Sequence, residues 1–233
     1  MAWCRLATST RPIRASLIIE GLEISAAILA GGRATRFGGA DKASLVVGGV
    51  RIVERQLAAL AGVSDDIRIV ANDASRYADL GVRVVPDAIA GAGPLGGVYT
   101  ALLDARHDRV LILACDLPFV PAAFLERLAA ESGTPGEHVQ VDAVVPRTRR
   151  GLEPLCAVYW KGCAVRLQSR IARGELRMTA LLADLHVREL GHDVLAPYDE
   201  EALFDNVNTP HDYARAKGRV ELDEQPFEDR ITE

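Results

Sequence analysis

Ile24-Ser25-Ala26-Ala27-Ile28-Leu29-Ala30, closed by Gly31-Gly32, is the stretch that decides the fold. It is an apolar run of strand length, broken by one serine and ended by a glycine pair, as expected for a strand buried on both faces. Val110 to Ala114 (VLILA) repeats the pattern and ends on Cys115-Asp116. Between them, Ile67 to Ala71 (IRIVA) and Val82 to Val85 (VRVV) are short β-branched runs bounded by turn residues. Val50, Val53, Leu57 and Leu60 recur at helical spacing, and Gly62 suits the helix end. A Gly- and Pro-containing loop is expected from Pro86 to Gly97, followed by a helix to about Arg106. Further on, Asp142 to Pro146 and Leu155 to Trp160 read as strands separated by the basic turn Arg147 to Gly151, with helices over 161–172 and 178–184. Strands that alternate with helices predict an α/β class: a single Rossmann-like three-layer domain, its sheet mostly parallel, with helices on both faces.

The ends of the chain read differently. Arg5, Arg11 and Arg14 precede the first acid, Glu20, and the apolar stretch Leu17 to Ile19 is too short for a signal-peptide core. Residues 1–23 are therefore expected to be an untargeted, flexible extension. From Lys217 the last seventeen residues hold six acids and little apolar material, which predicts an acidic mobile tail over 218–233. One folded domain over 24–217 remains.

A net charge of −5 gives no basic footprint for nucleic acid, so any anion site must be local. No apolar run approaches the ~20 residues that cross a bilayer. Cys4, Cys115, Cys156 and Cys163 form no CxxC pair and no zinc spacing, a pattern of reduced thiols that predicts a cytoplasmic protein.

In an open parallel sheet, ligands bind beyond the C-terminal ends of the strands. Leu29 to Lys42 (LAGGRATRFGGADK) starts there, with four glycines and three cations. Glycines let backbone N–H groups approach phosphate oxygens and form an anion nest. Arg36 would meet a polyphosphate as a fork and Lys42 as a point charge. A plain glycine turn with solvated cations is the alternative. GxxxxGK[ST] and GxGxxG are both absent, which argues against a P-loop or a dinucleotide site. Asp116, just past the VLILA strand, is placed to bind Mg²⁺ together with substrate phosphates, or else to cap a turn before Pro118. Gly91 to Gly97 (GAGPLGG) would admit a planar base against backbone, or serve only as a turn. GxSxG and HExxH are missing, and the five histidines are scattered.

These residues resemble the molybdenum cofactor guanylyltransferases, within the nucleotide-sugar-transferase-like superfamily. The shared elements, in order, are Leu29 to Lys42, Asn72, Gly93 to Gly97, Cys115 to Pro118, and Asn206-Val207-Asn208-Thr209-Pro210. The NVNTP ending is the most discriminating. The resemblance implies that GTP and molybdenum-loaded molybdopterin give the guanine dinucleotide cofactor and pyrophosphate. It implies GTP contacts at Leu29, Ala30, Gly31, Lys42, Asn72, Asp87 and Asp116, and Mg²⁺ at Asp116 with Asn208 as a second ligand. Glu153-Pro154-Leu155 would lie near the acceptor. Transient contact with molybdoenzymes or other cofactor-synthesis proteins is also implied, with neither nucleic acid nor membrane as a partner.

Three rivals stand beside this reading. The sister class moves CMP from CTP onto the same cofactor with a nearly identical loop. Sugar-1-phosphate nucleotidyltransferases carry G-x-G-T-R and a later PK, where this chain has Gly32-Arg33-Ala34-Thr35-Arg36 and Asp41-Lys42. A non-catalytic cofactor binder would have no need of Lys42 and a metal-holding Asp116.

Overall fold

The computed structural model describes residues 23–31, 42–133 and 141–224. Its first half runs β1 (Ile24–Leu29), a hairpin of β2 (Val46–Val47) and β3 (Val50–Arg51), α1 (Ile52–Leu60), β4 (Asp66–Val70), β5 (Arg83–Val85), α2 (Gly93–Asp104), β6 (Arg109–Ala114) and α3 (Ala122–Glu131). The second half adds β7 (Ala143–Thr148), β8 (Gly151–Leu152), β9 (Cys156–Trp160), α4 (Ala164–Ala172), α5 (Met178–Leu182), β10 (Val187–Leu190), α6 (His192–Leu195), α7 (Glu200–Leu203) and α8 (Pro210–Glu224).

The main sheet has the order β10-β7-β9-β6-β1-β4-β5, with β8 paired to β7. β4, β1 and β6 are parallel neighbours, and β9 is antiparallel to both β6 and β7. The sheet is thus mostly parallel, as the unbroken apolar runs require.

β1 and β6 are buried along their whole length, and strand alternation divides their side chains between two cores. Ile24, Ala26 and Ile28 face α1 and α3, packing with Val53, Leu60, Phe124 and Leu128. Ala27 and Leu29 face α2, α4 and α5, packing with Leu95, Val98, Leu102, Leu167 and Leu181. Cys156 and Cys163 belong to these cores, and burial pushes the Cys163 thiol up to about 12. Such thiols pack rather than react.

In register, Leu29 sits opposite Val70 on one side and Ala114 on the other. Chain order reverses on either side of β1, so a crevice opens beyond these three strand ends.

Local details depart from the sequence pattern. Val50 is not the first turn of α1 but the start of β3. The helix expected after Gly97 begins four residues earlier, at Gly93, with Pro94 in its first turn, where a missing N–H costs nothing. Arg68 lies inside, 1% exposed, within the IRIVA run. Asp66 and Asp104 pair with it, the latter at 2.8 Å, as a buried guanidinium requires.

The expected tail boundary at 218 also moves. Lys217 falls inside α8, and Val220 is buried with Val47, Ile52, Val207 and Ala216. Gly48 lies so close that a Cβ there would collide with a Val220 methyl. One apolar face of a charged helix is enough to hold it, which is why composition alone misplaced the boundary. Residues 1–22 and 225–233 lie outside the described residues. Removing 219–233 is expected to lower the melting temperature by several degrees, since burying one valine contributes about 2 kcal/mol. Removing only 225–233 should leave it near that of the full chain. Melting curves of the two truncations check this; equal curves would show that Val220 contributes nothing.

Candidate active site

The crevice holds a cavity of about 740 Å³. Leu29, Ala30 and Gly31 line it from the end of β1, Asn72 from beyond β4, Asp87 from beyond β5, and Asp116 from beyond β6. Six of the expected nucleotide contacts, called from scattered sequence positions, therefore meet at one place. Lys42 opens a 3₁₀ turn, Lys42–Ser44. Its side chain, together with Arg36 and the remainder of Gly32 to Asp41, lies outside the described residues.

Asn72 and Asp87 hold each other. Asn72 Nδ2 donates to Asp87 Oδ2 at 2.8 Å, and the Asp87 backbone N–H donates to Asn72 Oδ1 at 2.9 Å. Thr100 secures the same loop to α2: its Oγ1 accepts from the Ala88 N–H at 2.9 Å and donates to the Gly96 carbonyl at 2.8 Å.

The glycines of this loop divide into two kinds. Gly91 and Gly93 line the cleft at φ 78° and 59°, a region that a side chain would strain. Gly96 and Gly97 lie inside α2 and serve close packing. A Cβ on Gly96 would come within 2.7 Å of Ala92 Cβ, and one on Gly97 within 3.4 Å of the Leu29 methyls.

The Asp116 turn is fixed from several directions. The Cys115 N–H donates to the Leu29 carbonyl at 3.1 Å, and the Ala114 N–H to the Leu155 carbonyl at 2.8 Å. Asp116 does not cap the next helix, since α3 starts at Ala122 behind Pro121. The Val207 N–H donates to the Asp116 carbonyl at 2.8 Å. That bond brings the NVNTP stretch to the metal-site candidate, although Asn208 is not among the residues lining the cavity. The same stretch starts α8: Asp212 accepts from the Asn208 and Thr209 N–H groups at 3.1 and 2.8 Å, and Thr209 Oγ1 accepts from the Asp212 N–H at 3.2 Å. This is a reciprocal helix cap.

The family model described as MobA-like NTP transferase domain matches residues 26–190, which contain this whole cleft. The chain belongs to that family. The molybdenum cofactor guanylyltransferase of Desulfosudis oleivorans is 31% identical over 198 residues, covering 84% of this chain and 96% of the relative. A probable molybdenum cofactor guanylyltransferase of Pelotomaculum thermopropionicum is 34% identical over 201 residues, 86% and 95% of the two chains. Among solved structures, molybdopterin-guanine dinucleotide biosynthesis protein A from Archaeoglobus fulgidus superposes with a TM-score of 0.71 at 28% identity. The match covers 85% of this chain and 99% of that one.

In this MobA-like chain the cleft contains groups beyond the expected ones. Asp73, Arg76 and Tyr77 also line it. Arg76 Nε donates to Asp73 Oδ2 at 2.9 Å, and Asp73 Oδ1 accepts from the Ser75 N–H at 3.2 Å. The signal was available: residues 72–77 follow a strand end, the same rule that singles out Asn72. Leu155 walls the cavity from the other side. Next to it, burial pushes the Glu153 carboxyl above its usual range. Thr148, donating at 3.3 Å, and Arg150 oppose that shift, whereas Glu200 and Asp116 add to it. Burial and these neighbouring acids thus disfavour the charged form of Glu153.

Proposed function

We propose that this chain transfers GMP from GTP to the terminal phosphate of molybdenum-loaded molybdopterin, releasing pyrophosphate. The observation that carries the reading is the Val207–Asp116 hydrogen bond. It joins the most family-specific stretch of the sequence to the one carboxylate at the end of β6, within a cleft already bearing the nucleotide motif. Relatives that match along nearly their whole length are named for this reaction.

The chemistry needs little from the protein beyond position and charge. An acceptor phosphate is already anionic, so it can attack the α-phosphorus in line without a general base. Backbone N–H groups of the glycine-rich loop beyond Ala30, whose own N–H is donated to the Val70 carbonyl, would hold phosphate oxygens, while Lys42 and Arg36 offset charge on the departing pyrophosphate. The Asn72–Asp87 pair and the Gly91–Gly93 backbone would hold the nucleoside.

Among the described residues no cluster of three or more His, Cys, Asp or Glu is arranged around a common point. Asp116 places one carboxylate at the cavity wall, a donor that fits Mg²⁺, which is commonly held by one or two carboxylates plus substrate phosphates. Asp116 would hold it with Asn208 alongside; bound there, the ion would neutralise phosphate charge. Transient handover to molybdoenzymes or cofactor-synthesis proteins belongs to the same proposal, as does a cytoplasmic setting. Among the described residues no helix is long and apolar enough to cross a membrane.

The test is a nucleotide panel. Purified protein, Mg²⁺ and molybdenum-loaded molybdopterin receive each of the four triphosphates, and pyrophosphate release is measured. GTP should exceed CTP by at least about tenfold, roughly 1.4 kcal/mol of selectivity. Equal or better use of CTP would place the chain with the cytidylyltransferases.

A further inference from the structure

Gln56 sits on α1 and is 2% exposed. Its Nε2 donates to the Ala114 carbonyl at 2.7 Å and to the Leu117 carbonyl at 3.0 Å. Both amide protons are thereby used, on the two sides of Cys115-Asp116. The orientation of the amide is fixed, because turning it over would aim its oxygen at two carbonyl oxygens. Among the described residues Gln56 Oε1 is buried without a partner. A buried acceptor with no donor is destabilising; a leucine at this inward helix position would avoid that cost but take the amide donors from the Ala114 and Leu117 carbonyls. Packing alone does not explain a glutamine here.

Beside its backbone bonds with Leu29, Leu155 and Val207, the turn takes a further support from outside. Its own closing bond, from the Leu117 N–H to the Ala114 carbonyl, is 3.4 Å long, beyond the usual range for N–H···O. The support comes from the helix that follows the phosphate-loop motif. The Ile52 N–H at the start of α1 donates to the Leu45 carbonyl at 2.9 Å. Ala43, inside the turn that Lys42 opens, is buried in the same core as Val53 and Leu117. α1 therefore works as a bar with the Lys42 turn at one end and the Asp116 turn strapped to its middle.

We infer that Gln56 is a positioning residue for the metal carboxylate: its side-chain amide holds the Asp116 turn in register with the turn that Lys42 opens. This rests on the reading of Asp116 as the metal ligand. Groups behind a metal ligand, which never touch the ion, commonly account for 10- to 100-fold in its affinity.

Gln56→Leu removes both donors and the orphaned acceptor at nearly constant volume. Three measurements are made on wild type and variant: melting temperature, GTP affinity in EDTA by calorimetry, and Mn²⁺ affinity of the GTP complex by water-proton relaxation. The variant should melt within a few degrees of wild type and bind metal-free GTP within about twofold, while Mn²⁺ affinity falls on the order of tenfold. A folded variant with wild-type Mn²⁺ affinity overturns the inference and leaves the proposed function standing. Wild-type protein that takes up no Mn²⁺ with GTP overturns the reading of Asp116 itself. Should the variant not fold, the wild-type Gln56 side-chain amide decides by NMR. Its two protons should be protected from exchange and should shift when Mg²⁺ joins the GTP complex. Solvent-rate exchange with no shift overturns the strap.

Discussion

Asp116→Asn is expected to keep the fold and lose most GTP-dependent turnover. The substitution is isosteric, so only charge and metal affinity change. Backbone bonds hold the turn: Cys115 N–H to Leu29, Val207 N–H to the Asp116 carbonyl, and Ala114 N–H to Leu155. Melting temperature should accordingly stay close to wild type. A neutral amide is a poor ligand for a hard cation, and losing the ion's charge stabilisation is worth several kcal/mol, on the order of 10²-fold or more in rate. A Mg²⁺ titration of activity gives the decisive reading, because the remaining activity should need more metal for saturation. A second consequence follows at Glu153. Its carboxyl is raised chiefly by burial, then by the Glu200 charge and least by Asp116, so removing the Asp116 charge should lower it slightly while burial keeps it above the ordinary range. A fully active variant with an unchanged Mg²⁺ requirement would remove Asp116 from the site.

The central strands and the cleft were legible in the sequence because both rest on local signals. Apolar runs at 24–30, broken only by Ser25, and at 110–114 leave no polar face for solvent, so they must lie inside a parallel sheet, and their ends must form its crevice. Leu29, Ala30, Gly31, Asn72, Asp87 and Asp116 accordingly converge on one cavity. Features set by long-range partners were less legible. Val187–Leu190 is strand β10 because β7 offers a parallel edge 44 residues earlier, and its own composition does not announce it. Arg68 looks like a surface residue until Asp104, 36 positions away, supplies its partner. The Gly-rich stretch before α2 looked like a loop throughout because glycines signal turns. Gly96 and Gly97 are helical because a close approach to Ala92 and Leu29 needs residues without side chains. Gln56 carried no motif signal at all. Its meaning comes from two carbonyls 58 and 61 residues away, a relation that spacing along one helix cannot reveal.

Lys42→Ala is expected to lower the rate of GMP transfer by on the order of 10²-fold or more, with little change in stability. The argument combines the motif with the anchoring of its last turn. Lys42 ends the glycine-rich stretch and opens the 3₁₀ turn Lys42–Ser44. That turn is held by the buried Ala43 methyl and by the α1 connection at Leu45, neither of which uses the lysine ammonium. Truncation should therefore leave the turn in place while removing a compact cation. Charge that develops on a departing pyrophosphate is greater in the transition state than in bound GTP, so a cation aimed at it acts mainly on kcat. Arg36→Ala should cost less, because backbone N–H groups of the loop would still hold the phosphates. The contrary reading, a solvated lysine on a glycine turn, expects no kinetic effect from either change. Steady-state kinetics on both single variants, with melting curves as the folding control, separate the two. If Lys42→Ala uses GTP at the wild-type rate, the phosphate-loop assignment fails, and the register that Gln56 is inferred to maintain loses one of its two ends.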